Sequence, residues 1–85
     1  MAFGQSAVMA VIGSGLVKRG AYLFERATGT PMREADARSD EYAITAAYTI
    51  GTATGLATAD PVGMAGTAAY AALMEKDLKE KRGGA

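Results

Sequence analysis

The sequence predicts an all-α fold of two to three helices without an independent globular core. Three observations lead there. Residues 42–74, 33 in all, are built mostly from Ala, Gly and Thr and carry one charge, Asp60. Phe3, Val8, Val11, Ile12 and Leu16 recur at helical rather than alternating spacing. Small residues repeat at every fourth position in two separate stretches, which on a helix places each set on one face.

The first helix is expected over residues 2–28, with an apolar part through residue 24. Gly13 and Gly15 lie inside it, and each weakens a helix by about 1 kcal/mol relative to Ala. Gly29 is a stop signal and Pro31 follows where helices end. Residues 25–41 read as a charged linker, with a short solvated helical turn in 32–41. Ser39 or Asp40 is the natural N-cap of the next helix, with Glu41 favourable in its first turn. That second helix is expected over 41–59. Asp60-Pro61 then marks a boundary, because the residue before Pro avoids the α region and Asp favours turns and caps. Asp60 also suits the N-cap of a third helix over 61–82, with Pro61 in its preferred first position. Glu75–Lys79 and Asp77–Lys81 support its last turns at i,i+4, and Gly83 terminates it. The 42–74 block is thus a helical hairpin, or one long helix kinked at Pro61, followed by a charged tail over 75–85. A strand over 42–54 has weaker support, from Thr, Tyr and Ile.

Eighty-five residues make one domain at most. A domain of this size buries only about 60% of its unfolded surface and is marginal without a staple. With no Cys there is no disulfide, and with no His the commonest metal ligand is missing. The 49% apolar fraction includes 19 Ala, a residue with little side-chain surface to bury. Eleven Gly add none. The chain is therefore expected to complete its packing on partners. Nine cationic and nine anionic residues balance to zero without a basic stripe, which argues against nucleic acid. The apolar N-terminal run lacks a positively charged region ahead of it, which argues against a secretory signal.

The sharpest pattern is Ala47, Gly51, Gly55 and Ala59, a small-xxx-small ridge containing a GxxxG. A second ridge runs through Ala2, Ser6, Ala10 and Ser14. Such faces let helix backbones approach closely, in lipid especially. The alternative is that an Ala/Gly-rich segment yields the spacing by chance. Thr45, Thr49, Thr52, Thr54 and Thr58 suit a buried or membrane helix, where the hydroxyl bonds the carbonyl one turn back. Asp60 is a proton-site candidate if intramembrane, but with Pro61 it reads foremost as turn and cap chemistry. Tyr22 and Tyr42 flank apolar runs as interface anchors do, or pack ordinarily. Lys18, Arg19 and the basic residues of the tail suit headgroups or a solvated face. No nucleophile–base set, phosphate loop or dinucleotide fingerprint is visible. No catalytic residue, cofactor, metal ligand or small-molecule substrate is expected.

A membrane span needs about 20 mostly apolar residues. Residues 1–17 are at the lower limit and become adequate if Lys18 and Arg19 snorkel. Residues 42–59 just qualify, and 61–74 are short. Ala, Gly and Thr favour insertion weakly, so these helices are expected to pack within a larger assembly. The expected function is a small non-catalytic accessory subunit of a membrane complex, energy-transducing complexes being one setting. Its partners would be larger subunits, copies of itself and lipid, in an organellar or bacterial inner membrane. The alternative is the repeating protomer of a filament or capsid. Phe3-Gly4-Gln5-Ser6 and the apolar Gly-containing run after it resemble conjugative-type pilins over under a fifth of the chain. That resemblance implies an exported helical protomer and a cleaved leader, with which an unprocessed Met1 disagrees.

Overall fold

The computed structural model describes residues 4–83, which form three α-helices with no strand among them. They are α1 (Gln5–Ala27), α2 (Met32–Ala57) and α3 (Pro61–Gly83). α1 and α2 form an antiparallel hairpin, and α3 folds back antiparallel to α2. The N-termini of α1 and α3 therefore meet at one end. The body is elongated and flat, 45 × 28 × 12 Å across its Cα atoms.

The two turns share one design. At the end of α1 the Thr30 N–H reaches the Glu25 carbonyl (2.9 Å) and the Gly29 N–H reaches Arg26 (3.2 Å), with Gly29 at φ 94. This is a Schellman closure, in which a left-handed residue lets two orphan carbonyls be satisfied. At the end of α2 the same bonds recur: the Asp60 N–H to Gly55 (2.9 Å) and the Ala59 N–H to Leu56 (3.5 Å). Here the left-handed position is Ala59, φ 52, where a Cβ is unfavourable.

Three sequence expectations are corrected. Residues 32–41 are not a linker; they are the first turns of α2, which starts after Pro31. Ser39 and Asp40 are accordingly buried mid-helix positions rather than N-caps. The extension has a packing cause. Ala35, Ser39, Ala43, Ala47, Gly51 and Gly55, spaced by four, are all buried, so one small-residue spine runs the helix length. Ala59 does not belong to that spine, being exposed and beyond the helix end.

The spine meets matching faces on the other helices. Ser6, Ala10 and Ser14 are buried on α1, and Gly63, Thr67 and Ala71 on α3. Ala2 lies outside the described residues. Ala10, Ala47 and Ala71, one from each helix, form the apolar centre with Tyr70 against them. Backbones approach closely enough that a Cβ on Gly51 would collide with the Thr67 side chain, and one on Gly63 with Ser6 and Asp60. The buried hydroxyls bond locally or across helices: Ser14 Oγ donates to the Val11 carbonyl (3.0 Å), and Thr67 Oγ1 to that of Gly63 (2.9 Å). Among the described residues no buried side-chain nitrogen or oxygen lacks a partner.

Ala59→Gly tests the second turn. Removing a left-handed Cβ relieves roughly 1–2 kcal/mol, and glycine's greater unfolded-state entropy returns about half. The variant is expected to unfold at higher denaturant by about 1 kcal/mol, read as a shifted midpoint at unchanged slope.

Candidate functional site

Two polar clusters, at different levels along the bundle, fix the helices to one another. The first is Asp60. Its Oδ1 accepts the Gly4 and Gly63 N–H groups and its Oδ2 accepts the Ser6 N–H and the Ser6 hydroxyl, all at 2.9 Å. The carboxylate is fully buried, at 0% exposure. It sits where the positive ends of α1 and α3 converge, an arrangement that favours an anion and satisfies orphan N–H donors. Pro61 opens α3 and contributes no N–H that would need a partner. The cap on α3 is local and follows from the Asp-Pro dipeptide. The cap on α1 comes from chain segments 54 to 56 residues away, and no short-range signal announces it.

The second cluster ties all three helices together further along. Lys18 of α1 lies 2.7 Å from Asp40 Oδ1, and Lys81 of α3 lies 3.0 Å from Asp40 Oδ2 and 3.1 Å from Asp36. Arg82 pairs with Glu41. Nearer the α1–α2 turn, Glu25 accepts Thr30 Oγ1 at 2.7 Å and Arg38 at 3.3 Å. For Asp40 burial works against the charged form, but the hydrogen bonds and charges of Lys18 and Lys81 outweigh it. Its carboxyl is held below the usual carboxylate range. Reciprocally, Asp40 and Asp36 hold the Lys81 ammonium above its ordinary value.

These clusters mark the two zones of a segregated surface. Of the nine cationic and nine anionic side chains, all but Asp60 fall in residues 18–41 and 75–82, which the fold brings to one end. The other end, built from 4–17, 42–59 and 61–74, carries only the buried Asp60 charge. Its exterior bears Val8, Met9, Val11, Ile12 and Leu16 of α1, Leu56 of α2, and Val62 and Leu73 of α3, while Leu23, Phe24 and Met32 are exposed at the charged end. Leu16 is 68% exposed and Leu56 69%, while Ala10, Ala47 and Ala71 are fully buried. The partition is inverted relative to a water-soluble bundle, with small and hydroxylated side chains inside and bulky apolar ones outside.

Among the described helices α1 alone is long and apolar enough to cross a membrane, with a best-window mean hydropathy of 1.3 and 11% of that window buried. Residues 42–59, expected to qualify, do not. Their Ala, Gly and Thr carry little hydropathy, and the helix they belong to begins with ten mostly polar residues, Met32 to Glu41. Tyr42 is exposed at the border between the zones; Tyr22 and Tyr70 are half-buried.

Comparison with known protein families, curated proteins and solved structures finds no match to this chain.

Two variants test the clusters. Asp60→Ala leaves three backbone N–H groups and a hydroxyl without acceptors in a dry site. Hydrogen exchange is expected to accelerate selectively at residues 4–7 and 62–64, with a lower melting temperature; Asp60→Asn, which keeps one acceptor oxygen, is expected to fall between. Unchanged exchange at Ser6 and Gly63 in Asp60→Ala would refute the double cap.

Asp40 gives a pH signature. Its folded pKa lies below the ordinary 3.8, so its stabilisation is complete above that pH and is lost as pH falls below it. Lys81 is raised above 10.5, so its share is complete below that value and is lost as pH rises past it. Melting temperature against pH is expected to fall at both limits, and Asp40→Asn is expected to flatten both falls relative to the parent chain.

Proposed function

We propose that this chain is a small, non-catalytic structural subunit of a membrane assembly, seated partly in lipid and partly against larger subunits or copies of itself. The supporting observation is the inverted partition of the uncharged end. Contiguous apolar surface of that kind marks an interaction site rather than a solvated face, and water gives no reason to expose Leu16 and Leu56 while burying Ser6 and Ser14. The small-residue faces add to the case. In lipid, helix association relies on close backbone packing and interhelical hydrogen bonds rather than on burying large apolar groups, and the three helices here are joined by such contacts. The exposed threonines fit too: Thr45 Oγ1 donates to the Glu41 carbonyl and Thr58 Oγ1 to that of Thr54, satisfying hydroxyls without water. An inner membrane, organellar or bacterial, is the proposed location.

A filament protomer is the second reading. A flat body with large apolar side chains outside suits stacking, and ordered fibres or shells of purified protein in the electron microscope would favour it over the subunit role.

The subunit reading is tested by extraction in mild detergent followed by native separation. The chain is expected to migrate with a complex many times its own 8.7 kDa mass and to float with lipid after reconstitution. Recovery as a stable monomer in detergent-free buffer would remove it.

A further inference from the structure

We infer that the uncharged end enters the bilayer tip first, as a preformed three-helix wedge, and stops at the charged collar without crossing. The inference rests on the membrane reading and assigns its geometry. The occupant of the apolar surface is the hydrocarbon of the bilayer, entered from one side.

Length and charge argue for this together. At roughly 1.5 Å rise per residue, the neutral stretches 5–17, 42–57 and 61–74 measure about 20–24 Å. A hydrocarbon core is about 30 Å thick. Taking α1 across would draw Lys18, Arg19 and the Asp36–Asp40–Lys81 cluster bound to Lys18 into that core, where ionised groups are costly. Unthreading α1 to cross alone would break both the Lys18–Asp40 contact and the Asp60 cap. A spanning element also carries interfacial anchors at both ends. Among the described residues the collar supplies such anchors, Lys18, Lys76 and Tyr42, and the opposite tip supplies none. The described surface of the opposite tip offers Leu56, Ala57, Ala59, Pro61 and Val62, all exposed and none ionisable.

The tip is also finished for a dry setting. Irregular backbone is tolerated at membrane depth only where its polar groups are satisfied by protein. The N–H side of the turn between α2 and α3 meets that demand. The Schellman bonds take the Ala59 and Asp60 N–H groups, and Asp60 takes donors at the starts of α1 and α3. The one ionisable side chain among the described residues of this end thereby spends its acceptors inside the bundle.

The chain contains no Cys, so single-cysteine variants report position directly. Ala57→Cys and Val62→Cys lie at the tip, and Glu80→Cys lies in the collar. Each is reconstituted with phosphatidylcholine vesicles, floated, and treated with a membrane-impermeant thiol reagent either added outside or enclosed in the lumen. Loss of tip labelling from both sides is expected, with Glu80→Cys labelled from outside only. A fluorophore at either tip site should be quenched by lipids carrying quenchers deep in the chain. Tip labelling from the lumen would overturn the inference in favour of a span, and tip labelling from outside would overturn it in favour of a surface-lying bundle. Failure of every variant and of the parent chain to float would instead remove the membrane reading itself, and tip protection in lipid-free solution would identify a second copy as the occupant. As a further check, Leu56→Lys places a cation at the C-terminal end of α2, where the helix tolerates it. It is expected to fold with unchanged helicity and lose flotation, whereas Leu23→Lys at the charged end should float normally; the opposite result would overturn the tip-first geometry.

Discussion

The Asp60 carboxylate takes four donors from chain segments as much as 56 residues apart, and it does so without contact with solvent. The rest of the structure depends on that constraint. α1 and α3 begin with unpaired N–H groups and positive dipole ends, and one anion between them answers both demands. Once Asp60 is placed, the α2–α3 turn cannot open without exposing the start of α1, and α1 cannot slide without orphaning its cap. Gly63 must be glycine for the same reason, because Ser6 and Asp60 occupy the space its Cβ would fill.

Close packing then follows from side-chain size rather than from apolar area. The interior is Ala, Ser, Thr and Gly, with Ile44 and Leu78 the large apolar members of the buried set. Contacts of that kind gain from backbone proximity and local hydrogen bonds, and they stabilise little by removing hydrocarbon from water. Hydrocarbon remains on the outside, where Leu16, Leu56 and Leu73 wait for another phase or another chain. The collar provides a second reference point. Lys18 and Lys81 hold Asp40 from opposite helices, so α1, α2 and α3 are registered at two levels, by Asp60 at the tip and by the ion cluster near the border.

The proposed role and the proposed depth of insertion come from this pairing of a neutral tip and a charged collar. A bundle locked at both levels moves as one body, and its surface chemistry changes abruptly between residues 17 and 18 of α1, 41 and 42 of α2, and 74 and 75 of α3. Those three boundaries lie far apart in the chain, and the fold turns the charged side of each toward the same end.

The helices were legible from local signals: Gly29 and Pro31 after α1, Asp60 and Pro61 before α3, and the small residues at every fourth position. The every-fourth-residue spacing of Ala47, Gly51 and Gly55 and of Ser6, Ala10 and Ser14 was likewise visible, because a face of a helix is written in its own sequence. The start of α2 is not legible in the sequence, since MREADARSDE looks like a solvated linker until α1 and α3 supply partners for Asp36, Arg38, Asp40 and Glu41. Spacing alone puts Ala59 on the ridge, because it does not reveal that the helix closes two residues earlier through a left-handed turn. The sequence by itself determined an all-α chain of two to three helices with small faces, its neutral block either a hairpin or one helix kinked at Pro61. Only the tertiary structure decided that Asp60 caps two helices, that the scattered charges gather at one end, and that the bulky apolar residues face outward. Those outcomes depend on which distant segments meet, and a chain read in order carries no term for that.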